Sequence, residues 1–218
     1  MLTSLAVIAL GMWAGMQSPP EAATELAGAV QKRYATVRDF SADFMHSYRG
    51  GVFRTEAVER GKVVIKKPGK MRWEYTTPER KLFVSDGVRL YAYVPEDRQV
   101  TVSPVPGEDH ASTSALFLAG RGDLNRDFVA SLETAIQTPA GTLALKLTPR
   151  RSEAEYDWLV LVIDRASLQI RHLVTADAQG GRSTFVFSNL RENTNPADQT
   201  FSFTIPRGVD VITTDRIR

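Results

Sequence analysis

Not one of the 218 residues is cysteine. That rules out disulfides, thiolate metal sites, a cysteine nucleophile and the acylated cysteine that tethers a bacterial lipoprotein. Long hydrophobic runs are missing too. The apolar stretch Leu5 to Met16 falls well short of the roughly 20 residues that a membrane-spanning helix needs. Charge of one sign is not concentrated anywhere: the net charge is +2 and no dense Lys/Arg block is present, so nucleic acid is not an expected partner. Catalytic signatures are also lacking, with no Gly-x-Ser-x-Gly elbow, no His-Glu-x-x-His and no phosphate-cradling glycine loop. Only three histidines occur, His46, His110 and His172. They lie far apart and read as packed or solvated side chains. Asp86 and Asp164 fall at expected turns, where Asp bonds the local backbone. No enzyme, metal site or cofactor is expected.

With 43% apolar and 24% charged residues, the chain has the balance of a globular protein able to bury a core. Residues 1–18 read as a signal-peptide-like segment, although Met1 to Ser4 hold no basic residue and no clean Ala-x-Ala site follows. Residues 19–218 read as a single domain. Ser18-Pro-Pro-Glu21 has the form of a helix N-cap. Leu26, Val30, Tyr34 and Val37 recur at helical spacing, predicting a helix from about Pro19 to Val37.

From Phe40 the period changes to two, with Phe40, Ala42, Phe44, His46 and Tyr48 on one side. Further strands are expected at 58–66, 70–75, 81–85, 88–94, 99–105, 129–137, 142–148, 158–163, 169–176, 183–190 and 201–205, with a helical turn at 196–199. Asp86-Gly87 predicts a type I′ hairpin. The apolar patch Ala115 to Ala119 reads as a short helix, a candidate lid. About eleven strands and few helices favour a mainly β fold, an incomplete antiparallel barrel or strongly curved sheet. Met71, Trp73, Tyr75, Tyr91 and Tyr93 are expected to give one face more aromatic surface than a thin sheet hides.

The string Gly61 to Tyr75, then Pro78, Leu82 to Gly87 and Leu90 to Tyr93, together with Asp39 to Phe44, Phe201 to Phe203 and Pro206 to Val209, resembles the bacterial outer-membrane lipoprotein carrier family, LolA. The resemblance covers nearly the whole chain after the signal-like segment. It implies a half-pipe of about eleven strands, closed by helices that lid an apolar cavity. Phe40, Phe44, Val63, Ile65, Met71 and Trp73 would line that cavity, with Tyr75, Tyr91, Tyr93, Leu116, Phe117 and Leu118. It further implies a periplasmic shuttle, expected as a monomer. Such a shuttle receives triacylated lipoproteins from an inner-membrane lipoprotein-releasing ABC transporter and delivers them to an outer-membrane acceptor lipoprotein. Lys67, Met71 and Arg72 are candidates for lid or partner contacts. The family often has Arg where this chain has Lys67, which keeps the charge but loses the planar fork of donors. Basic residues including Lys62, Lys66, Lys70, Arg80 and Lys81 are candidates for docking a partner or for solvating the outer face.

Burying a methylene contributes roughly 0.8 kcal/mol, so a chain of about sixteen carbons gains on the order of 12 kcal/mol in such a cavity. A bilayer offers the same gain, and a carrier therefore works near balance with membranes. An alternative is a lipid- or lipoprotein-responsive sensor of the cell envelope, since similar half-barrels occur joined to other domains in such regulators. The end of the chain soon after Pro206 favours the free carrier. An enzyme acting on envelope lipid would need a Ser/His/acid site that the linear sequence does not display.

Overall fold

The computed structural model describes residues 19–50, 56–105, 118, 122–152 and 156–214. The signal-like segment, the Ser18 cap, His110, Leu116 and Phe117 lie outside the described residues. Helix α1 (Pro19–Ala35) buries Ala23, Ala27 and Val30 at spacings of four and three, one narrow stripe of small side chains. Its acidic first turn (Glu21) and basic last turn (Lys32, Arg33) suit the helix dipole. The backbone then turns, with Thr36 and Val37 donating to the carbonyls of Arg33 and Tyr34.

Twelve strands follow and form one open sheet. They are β1 (Asp39–Arg49), β2 (Glu56–Lys66), β3 (Lys70–Thr77), β4 (Lys81–Asp86), β5 (Arg89–Val94), β6 (Gln99–Pro104), β7 (Phe128–Leu132), β8 (Thr142–Pro149), β9 (Trp158–Asp164), β10 (Ile170–Ala176), β11 (Arg182–Glu192) and β12 (Asp210–Thr213). The order across the sheet is β12-β6-β5-β4-β3-β2-β1-β11-β10-β9-β8-β7. Two antiparallel meanders thus join where β1 pairs with β11. A four-residue helix α2 (Leu124–Asp127), capped by the Asp123 carboxylate, precedes β7. A 3-10 turn occupies Asp198–Phe201.

The fold class expected from the sequence is the one found, with local corrections. No strand forms at 201–205: Phe201 closes the 3-10 turn, and Phe203 packs on the rings of Tyr91 and Tyr93. The last strand is β12, parallel to β6. Strand β7 ends at Leu132. The β4–β5 hairpin forms, but Ser85 lies opposite Leu90, which makes Gly87 and Val88 the central pair. Of these only Gly87 has positive φ, at 99°, the pattern of a type II′ turn. The Asp86 carboxylate accepts from the N–H groups of Val88 and Arg89 and so holds the loop as an Asx turn.

The sheet is strongly curved. Trp73 on β3 and Phe185 on β11 are three strands apart, roughly 14 Å on a flat sheet, yet their ring centroids are 5.4 Å apart. Curling makes one face an interior. The main core runs from Met71 through Phe44 and Phe187 to Leu145, Leu161 and Phe128, with α1 lying against β7 and β8, and a smaller cluster of Ala144, Val160, Val162 and Val174 lies on the other face of β8 to β10.

Candidate functional site

Cross-strand register decides which side chains share the interior. Ala42, Val63, Trp73, Phe83 and Ala92 lie opposite one another in series, and so do Phe40, Ile65, Met71 and Ser85. Phe40, Phe44, Val63, Ile65, Met71, Trp73 and Tyr75 therefore come together on the concave face, all of them buried. Leu118, the one described residue of the expected lid helix, joins them at 1% exposure.

Tyr91 and Tyr93 do not join them. They lie opposite Val84 and Leu82, so they face the convex side and pack there against Phe203. Arg72 alternates with Met71 and Trp73 and points outward, pairing with Glu74. Much of the basic run is engaged within the chain. Lys66 and Lys70 share Asp198, and Lys81 bonds Glu59.

The interior has two chemically distinct halves. On β1 to β4 and β11 it is aromatic, with Trp73 in edge or tilted contact with Phe44, Phe185 and Phe187 at 5.1, 5.4 and 6.3 Å. Gly61 makes room for this packing: a Cβ there would come within 2.7 Å of the Phe44 ring and closer still to the Glu74 carbonyl oxygen. On β8 to β10 the wall is aliphatic, built from Leu145, Leu147, Leu159, Leu161, Ile163 and Leu173, all nearly inaccessible.

Between α1 and the sheet, a void of about 10 Å³ is lined by Tyr34, Phe40, Leu118, Ile170, Phe187 and Leu190 among others, space for one water at most. A long apolar ligand could enter here only by displacing side chains. Among the described residues, larger clefts open elsewhere. One of about 480 Å³ lies at the bulge between β1 and β11 and is lined in part by Asp43, Lys62, Asn189 and Arg191.

A chain of contacts links the β2–β3 turn, α1 and Leu118 across this interior. The Lys67 ammonium donates to the Tyr34 carbonyl at 2.5 Å and sits 3.6 Å above the centre of the same residue's ring. The Tyr34 hydroxyl in turn donates to the Leu118 carbonyl at 2.7 Å. The β2–β3 turn is thereby tied to the last turn of α1 and on to the segment that carries Leu118. Burial brings the Lys67 amine down to about 8, with Glu192 opposing the shift and Arg33 adding to it. Burial also holds the Tyr34 phenol well above its ordinary range, and Glu192 adds to that. Arg33 and Glu192 form a neighbouring ion pair between α1 and β11.

One grouping was not legible in the sequence. His46 stacks on Phe185 at 4.1 Å; its Nδ1 lies 3.0 Å from the Glu59 carboxylate and its Nε2 lies 3.2 Å from the Ser183 hydroxyl. A carboxylate only accepts, so Nδ1 carries the proton and Nε2 accepts from Ser183. Burial depresses the His46 pKa, against the opposing pull of Glu59. Burial pushes Glu59 up, but hydrogen bonds from Lys81 and His46 more than offset this and hold it below its ordinary value.

The order Ser, His, acid is that of a hydrolase triad, but the setting is different. Ser183 sits within the sheet, between Tyr48 of β1 and Thr175 of β10, and not at a loop or helix N-terminus, where free N–H groups would receive an oxyanion. The grouping is a half-buried polar network at the rim of the aromatic half. Alternation within β11 was the available signal for Phe185 and Phe187. Nothing in the linear sequence links His46 to Glu59 and Ser183.

Comparison with known proteins agrees with this architecture. The family model described as "Outer membrane lipoprotein carrier protein LolA" matches residues 35–204. The outer-membrane lipoprotein carrier protein of Cupriavidus taiwanensis is 30% identical over 210 residues, covering 95% of each chain. That of Chromohalobacter salexigens is 30% identical over 208 residues, covering 94% of this chain and 95% of its own. Among solved structures, an uncharacterized conserved protein from Thermus thermophilus shares the fold with a TM-score of 0.55 at 15% identity, covering 88% of this chain and 99% of its own. A DUF1329 family protein from Desulfovibrio piger gives 0.50 at 14% identity, covering 85% and 98%. An apolar interior inside an open curved sheet, together with these matches, places the chain in the LolA outer-membrane lipoprotein carrier family, a family of carriers and not of enzymes.

Proposed function

We propose that the protein is a periplasmic carrier that takes the acyl chains of triacylated lipoproteins into the concave face of its sheet. In this reading it accepts them from an inner-membrane lipoprotein-releasing ABC transporter and passes them to an outer-membrane acceptor lipoprotein. The observation that carries the proposal is the interior itself. It is a continuous apolar surface running from Met71 to Phe128, closed by the small-residue stripe of α1 and a few polar contacts. Apolar burial is non-directional, so side chains that fill the interior when it is empty can give way to hydrocarbon of similar transfer energy. Opening exchanges one apolar contact for another and breaks the Lys67–Tyr34–Leu118 contacts together with the Arg33–Glu192 ion pair. Arg72, on the outer face beside this turn, is the proposed partner-docking residue.

Native mass spectrometry of protein purified from the periplasm of its own cells tests the proposal. Adducts with lipoprotein mass are expected, and they should be lost in Phe83→Asp, a half-buried position on the concave face, while circular dichroism stays unchanged. Protein that is empty, or loaded only with free phospholipid, and that also fails to bind the transporter would overturn it.

A further inference from the structure

Trp73 is 4% exposed, and its indole nitrogen is a buried side-chain polar atom without a hydrogen-bond partner among the described residues. Buried donors are almost always paired, and an orphan bears the full loss of its hydration. An indole N–H can only donate, so what is missing is an acceptor. The rings around it, Phe44, Phe185 and Phe187, offer no oxygen or nitrogen. Register places Trp73 in the middle of the concave face, between Val63 and Phe83. A phenylalanine would fill such a position with hydrocarbon and leave no unmet donor.

We propose that the Trp73 indole N–H is the docking point for the carbonyl oxygen of an acyl ester or amide, so that the interior selects acyl chains by their linkage and not by hydrocarbon alone. The inference rests on the carrier reading above and deepens it. An acyl chain brings one strong acceptor, the carbonyl at its head; the methylenes that follow satisfy nothing polar. A free fatty acid fits less well, because its charged carboxylate would have to be desolvated among aromatic rings. The site is therefore matched to a neutral carbonyl, and a bound acyl group pairs a donor that has no partner among the described residues.

The test uses the full chain, stripped of lipid and labelled with ¹⁵N at tryptophan, with two probes of matched heavy-atom count: methyl dodecanoate and pentadecane. The Trp73 indole resonance is assigned by its disappearance in Trp73→Phe. Methyl dodecanoate should move the Trp73 indole proton downfield, as a new hydrogen bond requires, whereas pentadecane should bind without that shift. In Trp73→Phe, affinity for the ester should fall about five- to tenfold more than affinity for the alkane, the worth of one buried hydrogen bond. A third probe, N-methyldodecanamide, tells which carbonyl is preferred: the larger downfield shift identifies it.

Should Trp73→Phe fail to fold, the Trp73 resonance is assigned by elimination with Trp13→Phe and Trp158→Phe, the two other tryptophans, and its shift in the wild type decides alone. If all probes bind, shift the indole proton alike and lose affinity equally in Trp73→Phe, the carbonyl site is refuted while the carrier reading stands. If none binds, the carrier reading falls and this inference with it.

Discussion

Replacing Lys67 by Met tests the contact chain proposed above to close the interior. The substitution removes a charge-assisted hydrogen bond to the Tyr34 carbonyl, worth about 1.5–3 kcal/mol, and a cation–π contact worth about 0.5–1 kcal/mol. It also removes the burial of a charge. The amine is lowered from 10.5 to about 8. For a side chain still partly open to solvent, this corresponds to about 1–2 kcal/mol after allowance for screening. These effects oppose each other at neutral pH, so the two proteins should lie within about 1–2 kcal/mol of one another at pH 7.

They should diverge as pH rises. Between pH 8 and 10.5 the unfolded chain keeps the Lys67 proton that the folded chain has released, so stability rises with pH across that window. Below pH 8 both states are protonated and the penalty is constant. Lys67→Met lacks this gain, and wild type should become the more stable by a further 1–2 kcal/mol or so between pH 7 and pH 10. Urea denaturation at half-unit steps measures it; the series stops at pH 10 because tyrosines ionise above that. Parallel profiles for the two proteins would refute the account of Lys67 as a half-buried, partly desolvated cation. Stopped-flow uptake of a fluorescent acyl probe at pH 7 gives the functional half, with faster entry expected in Lys67→Met.

Four further outcomes are expected. Gly61→Ala should destabilise the protein by roughly 2–4 kcal/mol in chemical denaturation, because its methyl group meets the Phe44 ring and the β3 backbone. Asp39→Ala should cost about 2–4 kcal/mol, since the buried carboxylate accepts from the Thr194 and Asn195 N–H groups and the Thr194 hydroxyl. Acidification should weaken the fold in two stages: as His46, held below 6.5, is forced to charge, and then as Glu59, held below 4.5, is neutralised. A double variant, His46→Gln with Glu59→Gln, should flatten the thermal-shift profile in both stages. Tyr91→Ala and Tyr93→Ala should lower Tm yet leave acyl-probe affinity unchanged, because both rings lie on the convex face.

Period-two alternation and turn residues determined β1 to β11 but not β12, because a strand's alternation and a Gly or Pro break are local properties of the backbone. Within β1, β2 and β3 alternation also assigned the inward side chains, from Phe40 and Phe44 to Trp73 and Tyr75. The relation between strands was another matter. The β3–β4 connection, Pro78 to Arg80, has no turn signature that fixes parity, and the structure sets Trp73 opposite Phe83. Leu90 and Ala92 then face inward while Tyr91 and Tyr93 face out, since adjacent residues of a strand take opposite faces. The fate of Phe201 to Ile205 was likewise decided by packing: Phe203 finds the tyrosines, and the sheet edge goes to β12.

Long-range pairing lay beyond the sequence altogether. His46, Glu59 and Ser183 are brought together by the β1–β2 and β1–β11 ladders, and Lys67 meets Tyr34 because β2 ends beneath the last turn of α1. Sequence order carries the chemistry of each side chain and its local face. Only the curvature of the sheet, which brings β3 against β11, turned one of those faces into an interior and left a tryptophan N–H inside it without a partner among the described residues.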